Sequence, residues 1–382
     1  MRTLKENNTL TIFLEGELSS NNAIETDKKI EKKLEKEKPT EIIFDIEKLN
    51  YISSAGLRLM LKYKKDYKDF EVRNASLEVY DIFQMTGFTD IMKVSKALKE
   101  IDISNATMIG EGYCSWVYQI DKDTIIKVFK FATDINDVER ELKLGKEAFV
   151  LGIPTAITYD IVKVKDKFGA RFELLDCLSL KDVLLKNPNN VDEIINKYAD
   201  LIIKIGSTEA VGNFPSCKEW WLNKVEVIKD CLEEKDYLKL KKIIESIEDR
   251  RTFVHGDCHV KNIMCQDDEM LIIDMDTLSY GHPIFELALI HSPYIAFEEV
   301  DPGNSEIFFG LPTQLTNKLY YDTISKVLKD KDSKKIRDEI ALLSYSHMVY
   351  WEKVNEPERV DRLNFLKEKF LGLLSKIDKI DF

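Results

Sequence analysis

Apolar positions in the first hundred residues switch between two periods. TLTIFLEGEL (9–18) puts an apolar side chain at every second position through Leu14, the pattern of a half-buried strand. From Ala23 to Lys38 the period lengthens. Ile24, Ile30 and Leu34 form a thin stripe among Lys and Glu, which predicts a helix stopped by Pro39. EIIFDIE (41–47) reads as an apolar strand, SAGLRLMLKYKKDYK (54–68) as an amphipathic helix and FEVRNA (70–75) as a strand. SLEVYDIFQMTGF (76–88) reads as a helix closed near Gly87. Strands separated by helices of this length need crossover connections, so a small α/β sheet is expected over residues 1–100.

The pattern resets between Ile101 and Asn105. MIGEGYCSWVYQID followed by TIIKVFK reads as strand, glycine turn, strand, turn, strand, an antiparallel arrangement unlike the first segment. Helical segments dominate after Ser179. With 382 residues the chain exceeds one ordinary core, which agrees with two or three domains. The 44% hydrophobic and 32% charged content is that of a globular protein. The segment MRTLKENNTLTIFLEGEL has no apolar leader core, and no apolar run in the chain is long enough to span a bilayer, so a cytoplasmic location without membrane contact is expected. Six cysteines without paired spacing are expected to be free thiols.

Charge is divided unevenly. Residues 1–100 hold 18 basic and 18 acidic side chains, and the remainder holds 38 against 50, which accounts for the net −12. An acidic second part disfavours nucleic acid as a partner and would suit a cationic ligand. The aromatic run YSHMVYWEK (345–353) is a candidate wall for such an amine, or ordinary helix packing.

The chemistry concentrates in VHGDCHVKNIM (254–264) and in LIIDMD (271–276), an apolar strand that delivers Asp274 at its end. Asp257 and Asn262 lie five residues apart on the preceding loop. Oxygen donors of this kind suit a hard ion, Mg²⁺ above all, and a further carboxylate can accept a hydroxyl proton. Upstream, GEGYCS (110–115) is a glycine turn whose backbone N–H groups could approach phosphates. Lys127 follows on the next strand, and Glu141 on the next helix, with Glu139 as its rival there. A Lys–Glu pair joining strand to helix can hold an ammonium against nucleotide phosphates. No GxxxxGK[ST] run is present. His255 and His259, with Cys258 and Cys265 nearby, could instead suggest zinc, but that would leave Asn262 and Asp274 unused. His255 reads better as a buried prop of the loop, and Asp276 as a second metal contact or a structural hydrogen bonder.

HGDCHVKN followed by LIIDMD resembles the signature of aminoglycoside phosphotransferase and choline-kinase-like enzymes over roughly residues 104 to 382. The resemblance implies a two-lobed α+β protein-kinase-like fold, with an N-lobe over 104–176 and a C-lobe over 177–382. It implies ATP and Mg²⁺ as cofactors, Asp257 as catalytic base, and Asn262 and Asp274 as metal ligands. Gly110, Gly112, Ser115, Lys127 and Glu141 would hold the nucleotide, with the backbone around Glu173–Leu175 facing the adenine. The expected activity is transfer of the γ-phosphoryl group of ATP to a hydroxyl acceptor, a small molecule as in that family.

EGELSSNNA, IIFDIEKLNYISSAGLRLML and NASLEVYDIFQMTGF resemble the STAS domain of anti-sigma-factor antagonists over roughly residues 8–98. That implies an α/β protein-interaction module, a regulatory protein as partner, and Ser54 as phosphoacceptor. Ser53 stands where many phosphorylated members carry Asp. Read from the residues alone, one of the two serines is a helix cap. Two alternatives follow from the pairing of domains: a signalling protein whose kinase part phosphorylates Ser54 or a partner, and a nucleotide-binding adaptor without turnover.

Overall fold

The computed structural model describes residues 1–112, 114–132, 135–266 and 269–382, with Asn136 described by its backbone alone. Tyr113 of the glycine turn lies outside the described residues. The chain forms two compact units, Met1–Ile101 and Asp102–Phe382.

The first unit is a five-stranded sheet with three helices. Its strands are β1 (Arg2–Glu6), β2 (Thr9–Leu18), β3 (Glu41–Ile52), β4 (Phe70–Ala75) and β5 (Lys93–Lys96), arranged in sequence order. β1 and β2 are antiparallel, and every later neighbour pair is parallel. The parallel pairs are joined through the helices α1 (Ala23–Glu37), α2 (Ser54–Asp66) and α3 (Leu77–Met85). Phe44 anchors the core, edge-on to Tyr63 at 5.4 Å and to Phe70 at 5.1 Å. The apolar stripe of α1 runs through Ala23, Ile30 and Leu34, while Ile24 is 73% exposed. β3 runs past the expected Glu47 to Ile52 because its polar end stays paired to Glu15–Leu18 of β2. Ser53 then caps α2, its hydroxyl accepting from the Gly56 N–H at 3.4 Å, which leaves Ser54 exposed at the first helical position. Gly56 is held by space: a Cβ there would stand 2.7 Å from Ile52 Cγ1 and 2.8 Å from the Leu18 carbonyl oxygen.

The second unit opens with β6 (Thr107–Glu111), β7 (Ser115–Gln119) and β8 (Thr124–Phe129), followed by α4 (Ile135–Val150), β9 (Thr158–Val164) and β10 (Lys167–Glu173). Within this unit the strands are antiparallel in the order β9-β10-β8-β7-β6. Val138 and Leu142 of α4 pack with Ala170 of β10. A short strand β11 (Leu178–Ser179) leads into the helical part, beginning with α5 (Leu180–Lys186), α6 (Val191–Ser207), α7 (Cys217–Val227) and α8 (Glu234–Ser246). Two small antiparallel sheets follow. β12 (Thr252–Val254) pairs with β15 (Ser279–Gly281), and β13 (Ile263–Gln266) pairs with β11 and with β14 (Glu269–Ile272).

The remaining helices are α9 (Pro283–His291), α10 (Phe297–Val300), α11 (Asn304–Phe309), α12 (Thr313–Leu328), α13 (Lys334–Asn355) and α14 (Val360–Leu374). Every α9 residue from Ile284 to His291 is buried, as expected for a helix apolar all round, with the single carboxylate Glu286 among them. The six cysteines are free. Among the described residues no helix is long and apolar enough to cross a membrane.

Candidate active site

The site begins with Lys127 on β8. Alternation along the strand buries Ile126 and Val128 on one face and turns Lys127 to the other, where only 14% of its side chain stays exposed. An ammonium at that depth needs partners. It donates to Glu141 Oε1 at 2.7 Å and to Asp274 Oδ1 at 2.9 Å. Burial alone would lower its pKa, but the charges of Glu141 and Asp274 outweigh that and hold it above the ordinary lysine range. Glu141 is itself buried. Burial raises its carboxyl, the Lys127 ammonium pulls it down, and the charge of Asp274 adds to the rise. Glu141, and not Glu139, is therefore the helix residue that meets the lysine.

Asp274 reaches Lys127 through an unusual backbone. β14 ends at Ile272, and Asp274 takes a left-handed conformation (φ 71°, ψ 75°) before a 3₁₀ turn at Met275–Thr277. Asp tolerates that region better than most side chains. The strand expected through LIIDMD thus stops before its carboxylates, and the turn, not the strand, aims Asp274.

The loop from His255 to Asn262 holds the other carboxylate. Asn262 Nδ2 donates to Asp257 Oδ2 at 2.7 Å and to the Asp257 carbonyl at 3.1 Å. His259 Nε2 stands 3.5 Å from Asp257 Oδ2. Burial pushes the Asp257 carboxyl up. His259 opposes the shift, Asp274 adds to it, and the Asn262 hydrogen bond opposes it. Asp276, three residues beyond Ile273, is raised to about 6 by burial and by the Asp274 charge, with Lys127 opposing.

The loop is fixed from beneath. His255 is fully buried, and its Nδ1 accepts from the Asp257 N–H at 3.2 Å, which assigns the ring proton to Nε2. Burial lowers its pKa to about 4, so the ring stays neutral at ordinary pH. Thr277 Oγ1 donates to the His255 carbonyl at 2.7 Å. Glu286 of α9 accepts from the N–H groups of His255 (2.5 Å) and Gly256 (3.2 Å). The sequence reading did not single out Glu286. Its signal was a lone carboxylate in PIFELALIH.

Gly110 lies within β6, paired with Val117 of β7, so only Gly112 of the two glycines is in the turn between these strands. The Gly112 N–H donates to the Ser115 carbonyl at 2.9 Å, and Ser115 is buried. Lys130 Nζ ties the turn down by donating to the Gly112 carbonyl (2.7 Å) and to Glu111 Oε1 (2.9 Å). Next to it, the Cys114 thiol is raised first by burial and then by the charges of Asp276 and Asp274, so the turn lies within electrostatic reach of that end of the site. Glu173 closes β10. Its N–H donates to the Ile157 carbonyl at 3.0 Å and its carboxylate accepts from the Ile157 N–H at 2.6 Å, while the Leu174 N–H donates to Asp123 at 2.8 Å. The Leu175 carbonyl meets Cys177 Sγ at 3.4 Å. The structure therefore brings Lys127, Glu141 and Asp274 into one ion cluster and Asp257 and Asn262 into one hydrogen-bonded pair. Ser54 belongs to the other unit.

Among the described residues no three His, Cys, Asp or Glu side chains converge into a metal cage. Asn262 and Asp274 form a sparser set. The Asn262 amide nitrogen is engaged with Asp257, and Lys127 bonds only one Asp274 oxygen, Oδ1. The amide oxygen of Asn262 and the second carboxylate oxygen of Asp274 are hard donors, the chemistry that Mg²⁺ takes.

The aromatic run at 345–353 does not present an open wall for an amine. Its His347 Nδ1 lies 2.7 Å from the chain's own Lys224 Nζ, and Tyr350 and Trp220 flank the same nitrogen at 4.9 and 2.9 Å from their ring centres. Tyr345 donates to Glu299, and Trp351 packs edge-on to Phe297.

The model of the phosphotransferase enzyme family matches residues 106–306, more than half of the chain. The chain belongs to that family. The model of the STAS domain matches residues 1–101 of this phosphotransferase, so an α/β STAS domain precedes a two-lobed kinase-like part. Similar solved structures include APH(2″)-IIa in complex with gentamicin, 13% identical, covering 70% of this chain and 91% of that one at a TM-score of 0.44. A choline/ethanolamine kinase family protein from Mesorhizobium loti is 11% identical, with 71% and 91% covered and a TM-score of 0.47. The amicoumacin kinase hAmiN, in complex with AMP-PNP, Ca²⁺ and Ami, is 12% identical, with 78% and 95% covered and a TM-score of 0.47. All three likenesses are distant. No curated protein sequence matches the chain.

Proposed function

We propose that the phosphotransferase part transfers the γ-phosphoryl group of ATP to the hydroxyl of a small molecule, and that the STAS domain couples it to a regulatory protein. The observation that carries this reading is the meeting of Lys127 with both Glu141 and Asp274, beside the Asp257–Asn262 pair. In this reading Lys127, held by Glu141, binds the nucleotide phosphates. Gly110, Gly112 and Ser115 bring backbone toward the phosphates from above, and the chain at Glu173–Leu175 faces the adenine. The N–H groups of Glu173 and Leu174 are already committed to Ile157 and Asp123, which leaves Leu175 as the candidate adenine contact. Asn262 and Asp274 would hold Mg²⁺, which supplies charge neutralisation at the transferring group.

Asp257 accepts the proton of the acceptor hydroxyl as its oxygen forms a bond to the γ-phosphorus. The bond from that phosphorus to the bridging oxygen breaks, and ADP leaves. Asn262 orients Asp257 through its amide. His255 and Glu286 hold the loop backbone, so little reorganisation is needed when substrate arrives. The test is ADP release from ATP and Mg²⁺ across a panel of hydroxyl compounds. Release that depends on both metal and acceptor supports the reading, and ATP binding with no release under any acceptor favours an adaptor.

A second reading has one observation in its favour. Ser53 takes the capping role, which leaves the Ser54 hydroxyl exposed at the start of α2, where a phosphate would meet unpaired backbone N–H groups. Phosphosite mapping after incubation with ATP tests it: phosphate at Ser54 in the unmodified chain and none in Asp257→Asn would make this a signalling kinase.

A further inference from the structure

Two ammonium groups stand beside the Asp257 loop and take no part in the site above. Lys261 is the loop residue before Asn262 and is exposed. Lys181, the second residue of α5, is tied to the same loop because its backbone N–H donates to the Val260 carbonyl at 3.3 Å. Both side chains run to the end of α11. Lys261 Nζ lies 5.0 Å from the centre of the Phe308 ring. A Cβ on Gly310 would come within 3.1 Å of Lys181 Cε and 3.3 Å of its Nζ.

Among the described residues neither ammonium has a carboxylate partner. That is notable in a part of the chain where acidic side chains outnumber basic ones, 50 to 38. The end of α11 does not satisfy them either. It is a six-residue helix with a weak dipole, and neither Nζ donates to a carbonyl of its last turn among the described residues. His259 of the same loop touches both the base and the end of α11, with Nε2 3.5 Å from Asp257 Oδ2 and its ring 5.6 Å from that of Phe309. Ile307 and Phe308 add an apolar flank, 83% and 55% exposed. The corner therefore offers an unneutralised positive pair and apolar surface on the loop that carries Asp257.

We propose that Lys181 and Lys261 form an acceptor subsite for an anionic group, so that the phosphoryl acceptor is a hydroxy compound bearing a carboxylate or a phosphate, not a polyamine. This rests on the phosphotransferase reading of the Asp257 site. Charge-assisted hydrogen bonds from two ammonium groups to one anion are directional and remove the repulsion between them.

Two measurements on the full chain test it. Calorimetric titration with glycerol 3-phosphate and with glycerate needs no turnover. Binding of at least one of them is expected, weakened about tenfold or more in Lys181→Met/Lys261→Met and largely kept in Lys181→Arg/Lys261→Arg. The two probes distinguish phosphate from carboxylate. ADP release with ATP and Mg²⁺ is then compared for these two compounds against choline and kanamycin. The anionic compounds are expected to accelerate release more than the cationic ones, and the ratio is expected to fall toward one in the double Met variant. No binding of either anion, equal binding by the double Met variant, acceleration by the cationic compounds alone, or phosphate found on the protein in place of the anions overturns the proposal. Absence of ADP release with anion binding intact contradicts the phosphotransferase reading and not the anion site.

Discussion

Asp257 is the residue on which the proposed chemistry turns, and its surroundings set a pH signature. Burial and the Asp274 charge raise its carboxyl, while His259 and Asn262 pull against them. A base works only when ionised, so activity is expected to fall with decreasing pH through a value above the ordinary aspartate range. A pH profile of kcat/KM checks this, and an acid limb at the unperturbed value would contradict it. Lys224 makes the opposite kind of statement. Burial without a carboxylate lowers its pKa to about 6 from 10.5. Between those values the unfolded chain carries a proton there that the folded chain does not. The site therefore costs stability below pH 10.5, and the full cost is reached below about 6. Lys224→Met is expected to be more stable at pH 7, on the order of 1–4 kcal/mol, with the difference shrinking as pH rises toward 10. Denaturant unfolding at several pH values measures it. At the start of α2 the two serines should separate: Ser53→Ala is expected to cost about 1 kcal/mol by loss of the cap, and Ser54→Ala close to nothing, both read from the melting of the first unit.

Among the elements, α9 has the largest influence on the site without touching a reacting atom. Its Glu286 accepts from the backbone N–H groups of His255 and Gly256. Glu286→Ala would leave the buried N–H of His255 unpaired, at about 1–3 kcal/mol, and free the half-buried N–H of Gly256 as well. The expected result is a fall in kcat of roughly 10- to 100-fold with the KM for ATP little changed. Glu286→Gln, whose amide oxygen can still accept, should recover most of the loss. A purely structural role would lower stability in both variants without that split.

The same element shows where sequence reading reached and where it stopped. HGDCHVKN and LIIDMD were legible because unusual residue types sit close together, and Lys127 because its strand neighbours are apolar. α1, α2, β2 and β4 were legible because each buries one face and so carries a period. β1 (RTLKE) and β5 (KVSK) were not, since short edge strands held by backbone pairing bury too little to leave a pattern. Lys181 and Lys261 reach the end of α11 only through folding, and Lys224 meets His347 from a helix more than a hundred residues away.

At the scale of the molecule, the division of charge follows the division into units. The balanced first part is the STAS domain, a kind of surface that can meet a protein partner without strong repulsion. The surplus of carboxylates lies in the phosphotransferase part, where Lys127 is enclosed by Glu141 and Asp274 and the Lys181–Lys261 pair stands apart. Fold and family make a phosphotransferase, and the arrangement around Asp257 is what would make this one active. The most direct measurement is ADP release from ATP and Mg²⁺, with hydroxyl acceptors present, by the unmodified chain and by Asp257→Asn, with nucleotide-dependent thermal stabilisation recorded for both. Release is expected to fall by about 10²- to 10⁴-fold in the variant while stabilisation by nucleotide persists. Equal release by the two proteins would contradict Asp257 as the base and, with it, the proposed reading of the site.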